Sequence, residues 1–125
     1  MNKFDLENRL VDFSVAIIKV SEELSHSHLK NHLATQLFRS GTSVSLNYGE
    51  AQSAESRKDF IHKMSIILKE LRETFVCLRI ISKTDMIKDL ANLENVKKEN
   101  DELISIFVKS IETARKNQMK SNNLS

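Results

Sequence analysis

The sequence predicts an all-α protein, an antiparallel up-down-up-down four-helix bundle. Three features carry that expectation. The 125 residues contain no proline and only two glycines, Gly41 and Gly49, whereas sheet proteins recruit such residues for their many turns. Apolar residues recur at alternating spacings of three and four, the period of a helix with one buried side. Short polar stretches with capping residues divide that pattern into four long segments, which pack antiparallel when their loops are short.

The first helix carries the clearest seam, through Leu6, Leu10, Phe13, Ile17, Val20 and Leu24. A second edge of Val11, Val15 and Ile18 widens its apolar stripe. The polar run from Ser25 to Asn31 supplies a loop and cap candidates. The second helix is expected from His28 to Ala51, with Leu33, Leu37, Val44, Tyr48 and Ala51 inward. Ser56-Arg-Lys-Asp59 has the form of a capping box and opens the third helix, whose seam of Phe60, Met64, Ile67, Leu71, Phe75 and Leu78 runs to Ser82. Thr84 or Asp85 is a cap candidate, with room for a short turn over Met86 to Leu90. The fourth helix is expected from Ala91 to Asn117, through Leu93, Val96, Leu103, Phe107, Ile111 and Ala114.

Composition narrows the class. With 40% apolar and 29% charged residues the chain suits one folded domain, over residues 1–118, followed by a frayed polar tail at 119–125. Charges throughout the N-terminal stretch argue against a signal peptide, and no apolar run reaches the ~20 residues of a membrane span. The single cysteine, Cys77, has no partner for an internal disulfide, so a cytoplasmic location is the simplest expectation. A net charge of +2 does not by itself argue for nucleic acid.

The second helix is unusual. From Leu29 to Ala51 only Lys30, Arg39 and Glu50 are charged. On a wheel of ~100° per residue, Phe38, Thr42, Ser45, Leu46 and Gly49 lie opposite the core positions, where a helix facing water carries Lys and Glu. Two readings of this face stay open, a Ser/Thr-rich surface and an interface with another copy of the chain, where small residues permit close approach. The hairpin of the second and third helices also sets Arg39 level with Glu70 and Glu50 level with Arg57. Both pairs are expected as partly buried ion pairs that fix register, without a catalytic role.

Three stretches carry a family resemblance: QLFRSGTSVSLNYGEAQSAESRKDF, LKELRETFVCLRII and ENDELISIFVKSIETARK. Together they resemble the four-helix-bundle family of 23S rRNA intervening-sequence proteins. The likeness centres on Arg39, Ser40, Thr42, Ser43 and Asn47, and the chain ends that helix in Tyr48-Gly49-Glu50-Ala51 where many relatives read A-E-G. The resemblance implies a ring-shaped homopentamer and no enzymatic activity. The chain is also similar to accessory proteins of diversity-generating retroelements, which implies nucleic acid and a protein, a reverse transcriptase, as partner classes.

The residues themselves offer little catalytic chemistry. Glu23-x-x-His26 and Asp59-x-x-His62 look like di-iron pairs, but the topology sets them at opposite ends of the bundle, roughly 30 Å apart. His28 and His32 read as surface histidines. Cys77 lies roughly 22 Å along its helix from His62, and Ser40 and Ser43 have no nearby base. No metal or other cofactor is expected. Lys58, Lys69, Arg72, Arg79 and Lys83 share an arc of about 100° on the third helix and span roughly 37 Å. Such a stripe meets phosphates by charge, or is simply a solvated face. Lys109, Arg115, Lys116 and Lys120 add a basic end. The leading expectation is a non-enzymatic nucleic-acid-associated accessory or scaffold protein. A protein-interaction module follows, and a bundle that binds metal or a small molecule comes third.

Overall fold

The structure, a computed structural model, describes residues 2–24 and 28–124, with side chains over 2–24 and 31–121. His28 and most of the first loop therefore lie outside the described side chains. Four helices follow one another: α1 (Lys3–Leu24), α2 (His28–Gln52), α3 (Arg57–Ser82) and α4 (Leu90–Leu124). Each packs on the next, α1 and α4 close the ring with the thinnest contact, and diagonal pairs do not approach closely.

Side-chain pairs give the directions. Ser14 meets Ser45 on α2, Ser40 meets Thr74 on α3, and Leu71 meets Asn100 on α4, while Arg9 reaches Glu99 and Glu102. Near the other end of α1, Glu23 accepts from the Lys88 N–H just before α4. Partner numbers fall as residue numbers rise: Ile18 lies beside Ala34 and Phe38, Leu33 meets Cys77 and Arg57 meets Asn117, which with the pairs above gives the up-down-up-down arrangement.

The caps are local chemistry. Asn2 Oδ1 accepts from the Phe4 and Asp5 amides at 3.0 Å each. Ser56 Oγ accepts from the Asp59 amide at 3.0 Å, and Asp59 Oδ2 answers at the Glu55 amide, one residue earlier than a standard box. Lys63, hydrogen-bonded to Asp59, holds that carboxyl below its usual range. The cap of α4 differs from expectation. It is Asp89, whose Oδ1 accepts from the Asn92 amide at 3.1 Å, because Thr84 turns back to Ile81 O and no helical turn forms before Leu90. The last helix also runs on through 119–124, where only a loose tail is expected from polarity alone. No proline or glycine follows Asn117, and Arg57 Nη1 donates to Asn117 O at 2.8 Å and to Ser121 Oγ at 2.6 Å.

The core is continuous through all four seams, from Leu10 and Ile17 to Leu37, Leu71, Leu103 and Phe107, all fully buried. Tyr48 meets Phe107 edge-on at 6.0 Å. Phe4 is exposed, since it lies about 200° round α1 from the first buried position at Leu6. A polar layer crosses mid-bundle: Ser14 donates to Gly41 O, Thr74 pairs with Ser40 at 2.8 Å, and Asn100 Nδ2 donates to Leu71 O at 3.0 Å. Asn100 sits at a seam position between Val96 and Leu103, fully buried, with Oδ1 unpartnered.

Candidate nucleic-acid interface

The α3 helix buries Ile61, Met64, Ile67, Leu71, Leu78 and Ile81, so its opposite side must face outward. Lys58, Lys69, Arg72, Arg79 and Lys83 all lie there, all exposed, and none of them forms an ion pair among the described residues. The acids nearest the stripe are taken by α2. Arg39 pairs with Glu70 at 3.2 Å and with Glu73 at 2.6 Å. The Glu73 hydrogen bond, then the Glu70 charge, raise the Arg39 pKa above its ordinary value. Arg39 thus offsets one of the two carboxylate charges on the flank and draws both toward α2, and the five cations outnumber the single net negative charge that remains there.

The second expected rung does not form. Glu50 and Arg57 are not paired, since Arg57 points across to the end of α4 instead. Level position along the bundle fixes height but not direction. On the α3 wheel Arg57 lies about 220° from Glu70, on the side of α4.

Charge pattern alone misses two further residues on this face. Val76 and Ile80 are 51% and 48% exposed, and they lie within the basic arc between Arg72 and Lys83. With Leu68 and the stems of Lys69 and Arg72, Val76 lines a shallow apolar groove. The signal was the i, i+4 spacing of two β-branched residues off the core seam.

A different face answers the question posed by α2. Phe38 and Leu46 are 49% and 74% exposed, Gly49 faces open space, and Thr42 is half-buried with its hydroxyl on Phe38 O. Ser45 belongs elsewhere: its Oγ lies 2.7 Å from Ser14 Oγ, so it faces α1 within the same chain. Gly41 brings the two helices this close, since a Cβ there would lie 2.5 Å from Ile17 Cγ2. Val11 and Val15 lie about 140–180° round α1 from the Leu6–Leu24 seam, so they face outward rather than into the core. Ile18 and Phe38 line one groove between the helices. The result is a largely apolar face spanning α1 and α2, with the exposed Glu22 at its groove.

The remaining chemistry-bearing residues have structural partners. Cys77 is buried, its Sγ 3.9 Å from Leu33 O, and burial pushes its thiol pKa up, away from the reactive thiolate. Glu23 and Asp59 serve the Lys88 amide and Lys63 at opposite ends of the bundle. No group of three or more metal-ligating side chains occurs among the described residues. No described helix is long and apolar enough to cross a membrane.

Comparison with known proteins agrees with this architecture. A protein of unknown function from the S23 ribosomal protein family of Bacteroides thetaiotaomicron superposes with a TM-score of 0.81 at 29% sequence identity, over 90% of this chain and 99% of that one. No functionally curated protein matches the sequence. The sequence model of the 23S rRNA-intervening sequence proteins matches residues 2–109, which takes in α1, α2, α3 and most of α4. The chain belongs to the 23S rRNA-intervening sequence protein family.

Proposed function

We propose that the protein is a non-enzymatic, nucleic-acid-associated accessory or scaffold protein that works as a homo-oligomer, a pentamer by family resemblance. The carrying observation is the α3 stripe: five exposed cations over roughly 37 Å, with the flanking acids held by Arg39. Cations without partners attract phosphates by releasing condensed counterions, and the stripe lacks an aromatic platform for reading single bases. Binding is therefore expected to be salt-steep and weakly sequence-dependent. Fluorescence anisotropy with a labelled RNA duplex tests this. Neutralising Lys69, Arg72 and Arg79 together to glutamine is expected to weaken binding about tenfold or more. It should also reduce the slope of log K against log salt by about 3. Unaltered affinity and slope would discard the stripe as the contact.

The largely apolar α1/α2 face, which carries Glu22 at its groove, supports self-association, because an apolar strip bounded by polar residues is characteristic of an interface. Sedimentation is expected to give a multiple of the 14.4 kDa chain. Leu46→Lys, which places a charge at the most exposed apolar position, should shift the species toward the single chain. A single chain at micromolar concentration for the unmodified protein would remove the oligomer from this reading.

Val76 and Ile80 favour a second reading, a protein partner on the same face. Phosphates gain nothing from two apolar side chains, whereas an acidic amphipathic helix would cover them and pair with Arg72 and Arg79. A stoichiometric protein retained through nuclease treatment, and lost in Val76→Asp, would favour that reading over the first.

A further inference from the structure

We infer that a cleft at one end of the bundle, between the start of α1 and the C-terminal half of α4, binds a small amphiphilic anion with an apolar body and one negative head. This site is separate from the α3 stripe and does not depend on it.

The cleft follows from the thin α1–α4 seam. Arg9 clasps that seam, with Nε and Nη2 on Glu99 at 2.8 and 2.6 Å and Nη2 on Glu102 at 2.6 Å. One turn beyond the clasp, α1 has almost reached its first residue and α4 continues alone. The space left is about 700 Å³ and is lined from all four helices. That size lies within the ~300–1,000 Å³ of small-molecule sites, which recur between helices of bundles.

Its floor is apolar: Leu6, Phe60, Met64 and Ile106 surround Tyr48. Tyr48 is 4% exposed, and its hydroxyl, which bonds to no described side chain, keeps contact with solvent at the cleft. Burial first, and the charge of Glu7 second, raise the hydroxyl pKa and keep it a donor. A donor that no described side chain engages, set among apolar side chains at the cleft, can exchange its water for a ligand oxygen. The rim supplies the charge. Lys3 and Lys109 stand at the mouth, no ion pair engages either, and none of the described lining residues is acidic. Lys3 lies 5.3 Å from the Phe4 ring centroid, an exposed contact that an anion can outcompete. An apolar floor, one free hydroxyl donor and two cations fit a carboxylate, sulfonate or phosphate monoester carrying a hydrocarbon or aromatic body.

Two probes separate the possible bodies: decanoate, with a flexible chain, and 1-anilinonaphthalene-8-sulfonate, with rigid rings. Each is titrated into the full-length ¹⁵N-labelled chain. Saturable shifts are expected at the amides of Leu6, Tyr48, Ile106 and Lys109. If both probes compete, the head decides recognition; if one binds, the body does. Decanol, which lacks the charge, should bind about tenfold more weakly or less. Tyr48→Phe keeps the ring against Phe107, so its thermal midpoint should hardly change while affinity falls about tenfold. Lys109→Gln should lower affinity and flatten its salt dependence. No saturable binding of either probe at millimolar concentration would overturn the site, as would shifts centred elsewhere or full affinity in Tyr48→Phe. Concentration-dependent shifts of the cleft amides without any probe would mean that a second copy fills it, which also overturns the proposal.

Discussion

Replacing Gly41 with valine is expected to lower stability by about 3 kcal/mol or more, and with alanine by about 1–2 kcal/mol. The sign needs argument, because a helix gains about 1 kcal/mol when glycine becomes alanine. Steric contact decides it. An added Cβ would lie 2.5 Å from Ile17 Cγ2, 2.9 Å from Cγ1 and 3.0 Å from Cβ. These are the root atoms of a β-branched, fully buried side chain that cannot swing aside. Relief requires α1 and α2 to separate, which also strains the Ser14 bonds to Gly41 O and Ser45. Gly49 is the internal control. Its Cβ would meet nothing within 4 Å, so Gly49→Ala should gain about 0.5–1 kcal/mol. Urea denaturation of both alanine variants checks the pair, with urea midpoints expected to move in opposite directions. Combining Gly41→Ala with Ile17→Ala should cost at least ~1 kcal/mol less than the two changes summed, because each removes the other's clash or cavity. If Gly41→Ala proved as stabilising as Gly49→Ala, the close approach of α1 to α2 would be wrong.

That contrast also shows which parts of the molecule its sequence exposes. The α1 seam was legible because alternating steps of three and four leave one buried side, and the capping box at Ser56 marks its own helix. On α3 the seam held at Met64, Ile67, Leu71 and Leu78, while Phe60 and Phe75 are only half-buried and Ile61 and Thr74 are buried beside them. Arg39 and Glu70 could be placed level because a hairpin couples height to residue number. The Glu73 contact and the turn of Arg57 toward α4 could not, since they depend on direction around the helix as well as height. Val11 and Val15 have the period of core residues yet lie outside. Their position round the helix distinguishes them, since both lie about 140–180° from the Leu6–Leu24 seam. In the candidate interface the cations were readable as charges on one arc, whereas Val76 and Ile80 drew no notice beside them. The end cleft left no local signature, because its lining is gathered from all four helices, with half of it from α4.

Asn100 is the position where a single atom should matter most. It occupies a seam site between Val96 and Leu103, is fully buried, and uses only its amide nitrogen, leaving Oδ1 without a partner. Asn100→Asp keeps the size but places a carboxylate in that position with no cation to meet it. Stability at pH 7 is expected to fall by about 3–5 kcal/mol. Burial disfavours the charged form, so the folded-state pKa of the new carboxyl lies above its unfolded value near ~3.9. The loss therefore vanishes below about pH 4, where both states are protonated, and grows by about 1.4 kcal/mol per pH unit until the folded pKa is passed. Urea midpoints of variant and parent measured side by side from pH 4 to 7 should diverge steadily. Parallel curves would mean that the side chain reaches water. Asn100→Leu runs the other way. It removes the unpaired oxygen and fills the seam, so stability should hold or rise by about 1 kcal/mol. A buried polar group at such a site can also fix the register of neighbouring helices. The leucine variant is then expected to show lower uniqueness of packing, read as weaker near-UV dichroism and broadened amide resonances at unchanged or higher stability. A loss of more than ~2 kcal/mol in that variant would instead show that Oδ1 is satisfied by a buried water, which the leucine would displace.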